Sequence, residues 1–158
     1  MPVQDLAEIT AALAPGRRLM GLDVGTKTIG VALSDTSLMV ATSLMTMRRT
    51  KFMKDAEELL GLIDRHNVGG LVIGLPVNMD GTEGPKCQSV RHFGKNLMDR
   101  RDLPVSYWDE RWSTQAVTRT LLDADVSRKR RGEVVDKLAA SYILQGALEA
   151  VRARRTGS

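Results

Sequence analysis

Between Arg17 and Met47 the chain reads RLMGLDVG, TIGVALSD and LMVATSLMTM, three extended apolar-rich runs with only a few turn residues between them. Connections this short cannot cross over to make parallel neighbours, so they predict a three-stranded antiparallel meander. Gly25 with the polar pair Thr26-Lys27 supplies the first turn. The pattern then changes period. Residues 53–66 (MKDAEELLGLIDRH) set Met53, Ala56, Leu59, Leu60, Leu62 and Ile63 largely on one helical face, and LVIGL at 71–75 is a continuous apolar run suited to a buried parallel strand. A turn-rich loop, PVNMDGTEGP, leads to a helix through SVRHFGKNLMDR and a strand VSYWDE at 105–110. Ser113 is placed to cap a helix through TQAVTRTLL, the basic stretch SRKRR interrupts it, and a last helix is expected over 133–152. The fold class that accommodates this order is α/β: a mixed five-stranded sheet, three antiparallel strands followed by parallel ones, with helices on both faces.

At 158 residues the chain is sized for one domain with a core that needs no metal staple or disulfide framework. Val3, Leu6, Ile9 and Leu13 recur at helical spacing before Pro15-Gly16 breaks the pattern, so residues 1–16 read as an N-terminal extension. Residues 17–153 form the domain and 154–158 a basic C-terminal tail. The single cysteine, Cys87, cannot form an internal bridge and suits a reducing compartment, which places the protein in the cytoplasm. The sequence has neither an apolar run of the length that spans a bilayer nor a signal-peptide pattern. The net charge is +4, yet Asp5 and Glu8 make the first 16 residues −2 and leave residues 17–158 at +6. That balance favours a polyanionic partner.

Three acids stand where carboxylates do more than solvate a surface. Asp23 ends an apolar strand just ahead of a glycine turn, over the sheet edge where a metal or phosphate can approach. It also suits the ordinary start of a hairpin turn. Asp109 and Glu110 close the last strand, and alternation sends them to opposite faces, so one of the two shares a site with Asp23. Asp136 lies on the same side of the final helix as Ala139, Ala140, Ile143 and Ala147, an expensive place for a carboxylate unless it is paired or ligates a metal. Three carboxylates from two strand ends and a helix would form a cage of hard oxygen donors fit for Mg²⁺ or Mn²⁺. His66, His92 and Cys87 show no zinc-ligand spacing.

The loop from Asn78 through Asp80 to Gly84 follows a buried strand, where ligands of α/β sheets commonly bind. Cations cluster at Arg48, Arg49, Lys51 and Lys54, and again at Arg128, Lys129, Arg130 and Arg131, the second run reading either as a phosphate clamp or as a solvated linker.

Taken in order, GLDVGTKTIGVALSD, VIGLPVNMDGTEG, WDERWSTQAV and VDKLAASYILQGAL resemble the bacterial YqgF family, known under two names, Holliday junction resolvase and pre-16S ribosomal RNA nuclease. The resemblance spans Arg17 to Val151. It implies a ribonuclease H-like fold and a metal-dependent phosphodiesterase in which Asp23, Glu110 and Asp136 are the catalytic metal ligands, holding two divalent ions about 4 Å apart. Under that resemblance Lys27, Arg111 and residues 128–131 position the nucleic-acid backbone, and Asn78 and Asp80 line its path. The partner is then structured RNA, pre-ribosomal RNA in particular, or alternatively branched DNA, and the protein a monomer or homodimer. Symmetric junctions call for a dimer with two sites, whereas RNA trimming does not. A non-catalytic RNA- or ribosome-binding module is the remaining alternative. DVGTKTIGVAL also resembles the phosphate loop of sugar kinases, actin and heat-shock ATPases, but those close on nucleotide between two such domains and this chain has room for one.

Overall fold

The structure, a computed structural model, describes residues 5–111 and 128–156, with the side chains of the last helix described from 138 to 153. The elements in chain order are α1 (Leu6–Ala12), β1 (Arg18–Val24), β2 (Thr28–Ser34), β3 (Ala41–Arg48), α2 (Phe52–Arg65), β4 (Val68–Leu75), α3 (Pro85–Arg100), β5 (Val105–Asp109) and α4 (Arg128–Thr156). The helix expected after Ser113 lies outside the described residues.

The five strands form one sheet in the order β3-β2-β1-β4-β5. β1 pairs antiparallel with β2, and β2 with β3, as the short turns require. β1 pairs parallel with β4, and β4 with β5, because α2 and α3 carry the chain back between them. β1 therefore joins the antiparallel half of the sheet to the parallel half.

Strand alternation divides the core in two. Met20, Leu22, Leu71 and Ile73 pack with Leu59 and Ile63 of α2 and Val90, Phe93 and Leu97 of α3. Leu19 and Val72 face the other way, onto Leu6 and Ile9 of α1 and Ala140, Ile143, Leu144 and Leu148 of α4. Each fully buried leucine or isoleucine contributes about 1.5–3 kcal/mol, so both layers, the larger under α2 and α3 and the smaller under α1 and α4, hold their helices to the sheet. Gly21 shows how closely α4 sits: a Cβ there would lie 2.8 Å from Leu144 Cβ and 2.9 Å from the Ala140 carbonyl oxygen.

Local chemistry sets the helix ends. The Asp5 carboxylate caps α1 by accepting from the Ala7 N–H at 3.0 Å. Asp55, 2% exposed, accepts from the Thr50 N–H and from the Thr50 hydroxyl at 2.8 Å, pinning the chain as it enters α2. Asn67 takes the left-handed conformation (φ 58°) that follows the end of α2. Two expectations are corrected. α4 is described from Arg128 through Thr156, so the cations 128–131 are helical and the last helix extends beyond the expected 133–152 at both ends, while the helix that the run was expected to interrupt lies outside the described residues. Arginine and lysine are good helix formers, and a charged run indicates solvent rather than loop. VSYWDE ends as a strand at Asp109, and Glu110 already begins a helical turn.

Candidate active site

β1, β4 and β5 run parallel to one another, so their carboxyl ends share one edge of the sheet. Asp23 stands at that edge near the end of β1, opposite Gly30 of β2. Glu110 follows the last β4–β5 pair, Leu75 with Asp109. β4 lies between the strands that carry the two acids, and Glu110 reaches Asp23 by passing over Gly74. A Cβ on residue 74 would sit 2.5 Å from Glu110 Oε1 and 2.5 Å from Ile143 Cδ1, so a bare α-carbon is what opens this route.

The meeting has a clear electrostatic signature. Burial, the Asp23 charge, a side-chain hydrogen bond to Asp23 and the more distant Asp109 together push the Glu110 carboxyl up from 4.5 to about 8. Asp109 has the opposite environment. Its carboxylate accepts from Arg111 Nε at 2.9 Å, from Arg111 Nη2 at 2.6 Å and from the Arg111 backbone N–H at 3.0 Å, which hold it below the usual carboxylate range. The two neighbours thus part where the strand ends, Asp109 held by Arg111 and Glu110 joining Asp23.

These acids line a cleft of about 300 Å³ together with Gly25, Arg49, Lys86 and Ser89. Its carboxylates suit a divalent cation: both donors are hard oxygens, and a cation would offset the repulsion from Asp23 that raises the Glu110 carboxyl. Among the described residues no three His, Cys, Asp or Glu side chains gather into a metal-holding group. The Asp136 side chain lies outside that description. Its residue belongs to α4, one turn ahead of Ala140, the residue whose carbonyl abuts Gly21.

The remaining expected residues distribute as follows. Lys27 is exposed in the β1–β2 turn and is not part of the cleft lining. Asn78 and Arg111 line an adjoining cavity of about 310 Å³ that also touches Lys86 and Glu110. Asn78 donates to Thr82 Oγ1 at 3.1 Å, and Arg111 Nη1 donates to the Met79 carbonyl at 3.3 Å, tying the 78–84 loop to the strand end. Asp80 is turned into its own loop, accepting from the Thr82 N–H at 3.0 Å and hydroxyl at 2.6 Å, bonds that lower its pKa. Arg128, Lys129, Arg130 and Arg131 open α4, with side chains outside the description. The residue that sequence reasoning left among a general cationic cluster is Arg49, which turns into the cleft while Arg48 and Lys51 beside it stay exposed. No periodicity marks which cation of such a cluster faces inward.

Comparison with known proteins places this geometry in context. A family model described as "RuvX: Holliday junction resolvase" matches residues 17–150. A protein of Paramagnetospirillum magneticum called "Putative pre-16S rRNA nuclease" is 64% identical, over 94% of this chain and 96% of its own length. One of the same designation from Roseobacter denitrificans is 57% identical over 98% of this chain and 96% of its own length. Among solved structures, the yeast mitochondrial Holliday junction resolvase Ydc2 aligns over 96% of this chain and 88% of its own, with a TM-score of 0.53 at 11% identity. T. thermophilus RuvC, in complex with a Holliday junction substrate, aligns over 88% of this chain and 96% of its own, with a TM-score of 0.50 at 11% identity. At such identities the two structures are alike in fold.

Proposed function

The chain belongs to the RuvX family, described as Holliday junction resolvases, and from that premise we propose that it is a divalent-metal-dependent endonuclease acting on the 5′ end of pre-16S ribosomal RNA in the cytoplasm. The observation that carries the proposal is the convergence of Asp23 and Glu110 across Gly74, where burial and the Asp23 charge raise the Glu110 carboxyl. The choice of RNA draws on the shared designation of relatives 64% and 57% identical along almost their whole lengths.

Asp23 and Glu110 would hold the metal, with Asp136 as the third ligand. When bound, divalent ions supply an activated water for in-line attack on phosphorus and charge stabilisation at the departing oxygen. Glu110 must give up its proton to become a ligand, so metal affinity rises with pH toward the Glu110 value of about 8. Arg111 acts through Asp109 and the Met79 carbonyl, fixing the 78–84 loop against the strand end so that Asn78 borders the path leading to the acids. Lys27, Asp80 and residues 128–131 would meet the strand beyond the cleft, a role that rests on the family resemblance. Among the described residues no helix is long and apolar enough to cross a membrane.

The test is metal-dependent cleavage of two labelled substrates, a precursor ribosomal RNA leader and a four-way DNA junction, with Asp23→Asn as control. This substitution removes a ligand charge without changing volume, so folding is expected to persist and cleavage to vanish. RNA cleavage lost in the variant supports the proposal. Paired symmetric cuts in the junction alone, from a dimer, would replace it with resolvase activity, and binding without cleavage of either would replace it with a non-catalytic module.

A further inference from the structure

The guanidinium of Arg49 is fixed in an unusual way for a half-buried cation. The Arg49 backbone N–H donates to the Lys27 carbonyl at 2.8 Å, and Nη1 donates to the Gly25 carbonyl at 2.7 Å, two residues along from Asp23. The guanidinium lies over the Phe93 ring, 5.4 Å from its centroid, and Phe93 is itself held edge-on by Phe52. Immediately after Arg49, Thr50 is clamped by the buried Asp55. The charged head is thus immobilised by a carbonyl and an aromatic face. No carboxylate comes within ion-pair distance of it among the described residues, in contrast to Arg91, Arg101 and Arg111.

A guanidinium has five N–H donors, and the Gly25 carbonyl takes one. A partly buried cation with spare donors gains by binding an anion, and among the described residues no carboxylate, not even Asp23 or Glu110 of the same cleft, is within ion-pair distance of Arg49. The same cleft wall offers Lys86, in the first turn of α3, where Gly84 at the N-cap brings no side-chain acceptor, and the Ser89 hydroxyl one turn further on. Apart from the two acids, the charged side chains of this lining are cations.

We propose that Arg49 and Lys86 form a phosphate subsite that seats a backbone phosphate of the nucleic-acid strand beside the Asp23–Glu110 pair. The identity of the strand rests on the nuclease reading above, whereas the anion chemistry rests on the cleft alone. Arg49 presents a planar fork already held in orientation, suited to two hydrogen bonds to one phosphate, and Lys86 adds a point charge. Arg49 is a positioning residue: it fixes the strand, and the acids do the chemistry.

The test is equilibrium binding of a labelled single-stranded RNA to the metal-free protein over a salt series, paired with steady-state cleavage. Arg49→Ala is expected to flatten the slope of log K against log salt by about 0.7, the loss of one phosphate contact, and to weaken binding roughly tenfold, a change of about 1.4 kcal/mol. Lys86→Ala should flatten it similarly. Arg49→Lys should restore the slope without restoring the full affinity, because the charge returns and the fork does not. If Arg49→Ala lowers the melting temperature, Arg49→Gln, which keeps a donor for the Gly25 carbonyl, carries the same expectation. An unchanged slope in well-folded Arg49 variants of a protein that cleaves overturns the subsite and leaves the nuclease standing. A wild-type protein that binds with the slope lost in Arg49→Ala and cleaves nothing keeps the subsite and removes the nuclease.

Discussion

Glu110→Gln is expected to make the metal-free protein more stable near pH 8 and unable to cleave. Folding moves this carboxyl from its ordinary 4.5 up to about 8, so the folded state binds the Glu110 proton more tightly than the unfolded chain does. Stability from this group is therefore complete below 4.5 and drains away as pH rises toward 8. At 1.36 kcal/mol per pH unit the loss reaches at most about 5 kcal/mol, and water at the mouth of the cleft screens it to about 2 kcal/mol. Glutamine stays neutral, keeps nearly the same volume and can still hydrogen-bond Asp23. The assay is urea unfolding of wild type and variant, stripped of metal, at a series of pH values spanning 4.5 to 8. The two curves should coincide at the acid end and diverge steadily, the variant gaining. Added Mg²⁺ should then restore the wild type near pH 8 and leave the variant unmoved. Parallel curves across the whole series, or a variant weaker at the alkaline end, would refute the reasoning that Glu110 is strained by Asp23.

Gly21→Ala places a methyl 2.8 Å from Leu144 Cβ and 2.9 Å from the Ala140 carbonyl, groups fixed in the α4 backbone; thermal unfolding should show a loss of about 1–3 kcal/mol. Asp55→Ala strips the Thr50 N–H and hydroxyl of their acceptor, at a cost of about 2 kcal/mol. Because Thr50 adjoins Arg49, the same variant should also weaken RNA binding, and full affinity in it would show that Arg49 is held without the clamp.

Much of the architecture was legible because its signals are local. Turns too short for a crossover dictated the antiparallel pairing of β1, β2 and β3, and LVIGL announced a strand buried on both faces, which β4 is. Strand alternation pointed to a parting of Asp109 from Glu110 and left open which would join Asp23; the two do part, but because the strand ends at Asp109 and Glu110 opens a helical turn. What local pattern cannot carry is reach across the sheet. Gly74 reads as one more small residue in an apolar run, yet its missing side chain is the gap over which Glu110 crosses β4. Arg49 belongs to a cationic cluster like any other until the Gly25 carbonyl and the Phe93 ring, distant in sequence, draw it inward. The expected start of the last helix fell short because four cations look like a break in an apolar period, whereas residues 128–131 are helical.

The position of β1 also bears on when the site comes into being. Its antiparallel partners are close in sequence and can pair early, while β4 and β5 join only after α2 and α3 have been laid down. Pairings of such long separation are the slow part of folding, since loop closure must precede any gain from contact. Asp23 therefore waits on β1 for a partner carried by the far side of the chain. During synthesis, no emerging fragment that stops short of β5 holds both acids. A truncated product that ends before β5 therefore lacks Glu110, and the Asp23–Glu110 pair can form only once the chain has passed residue 110.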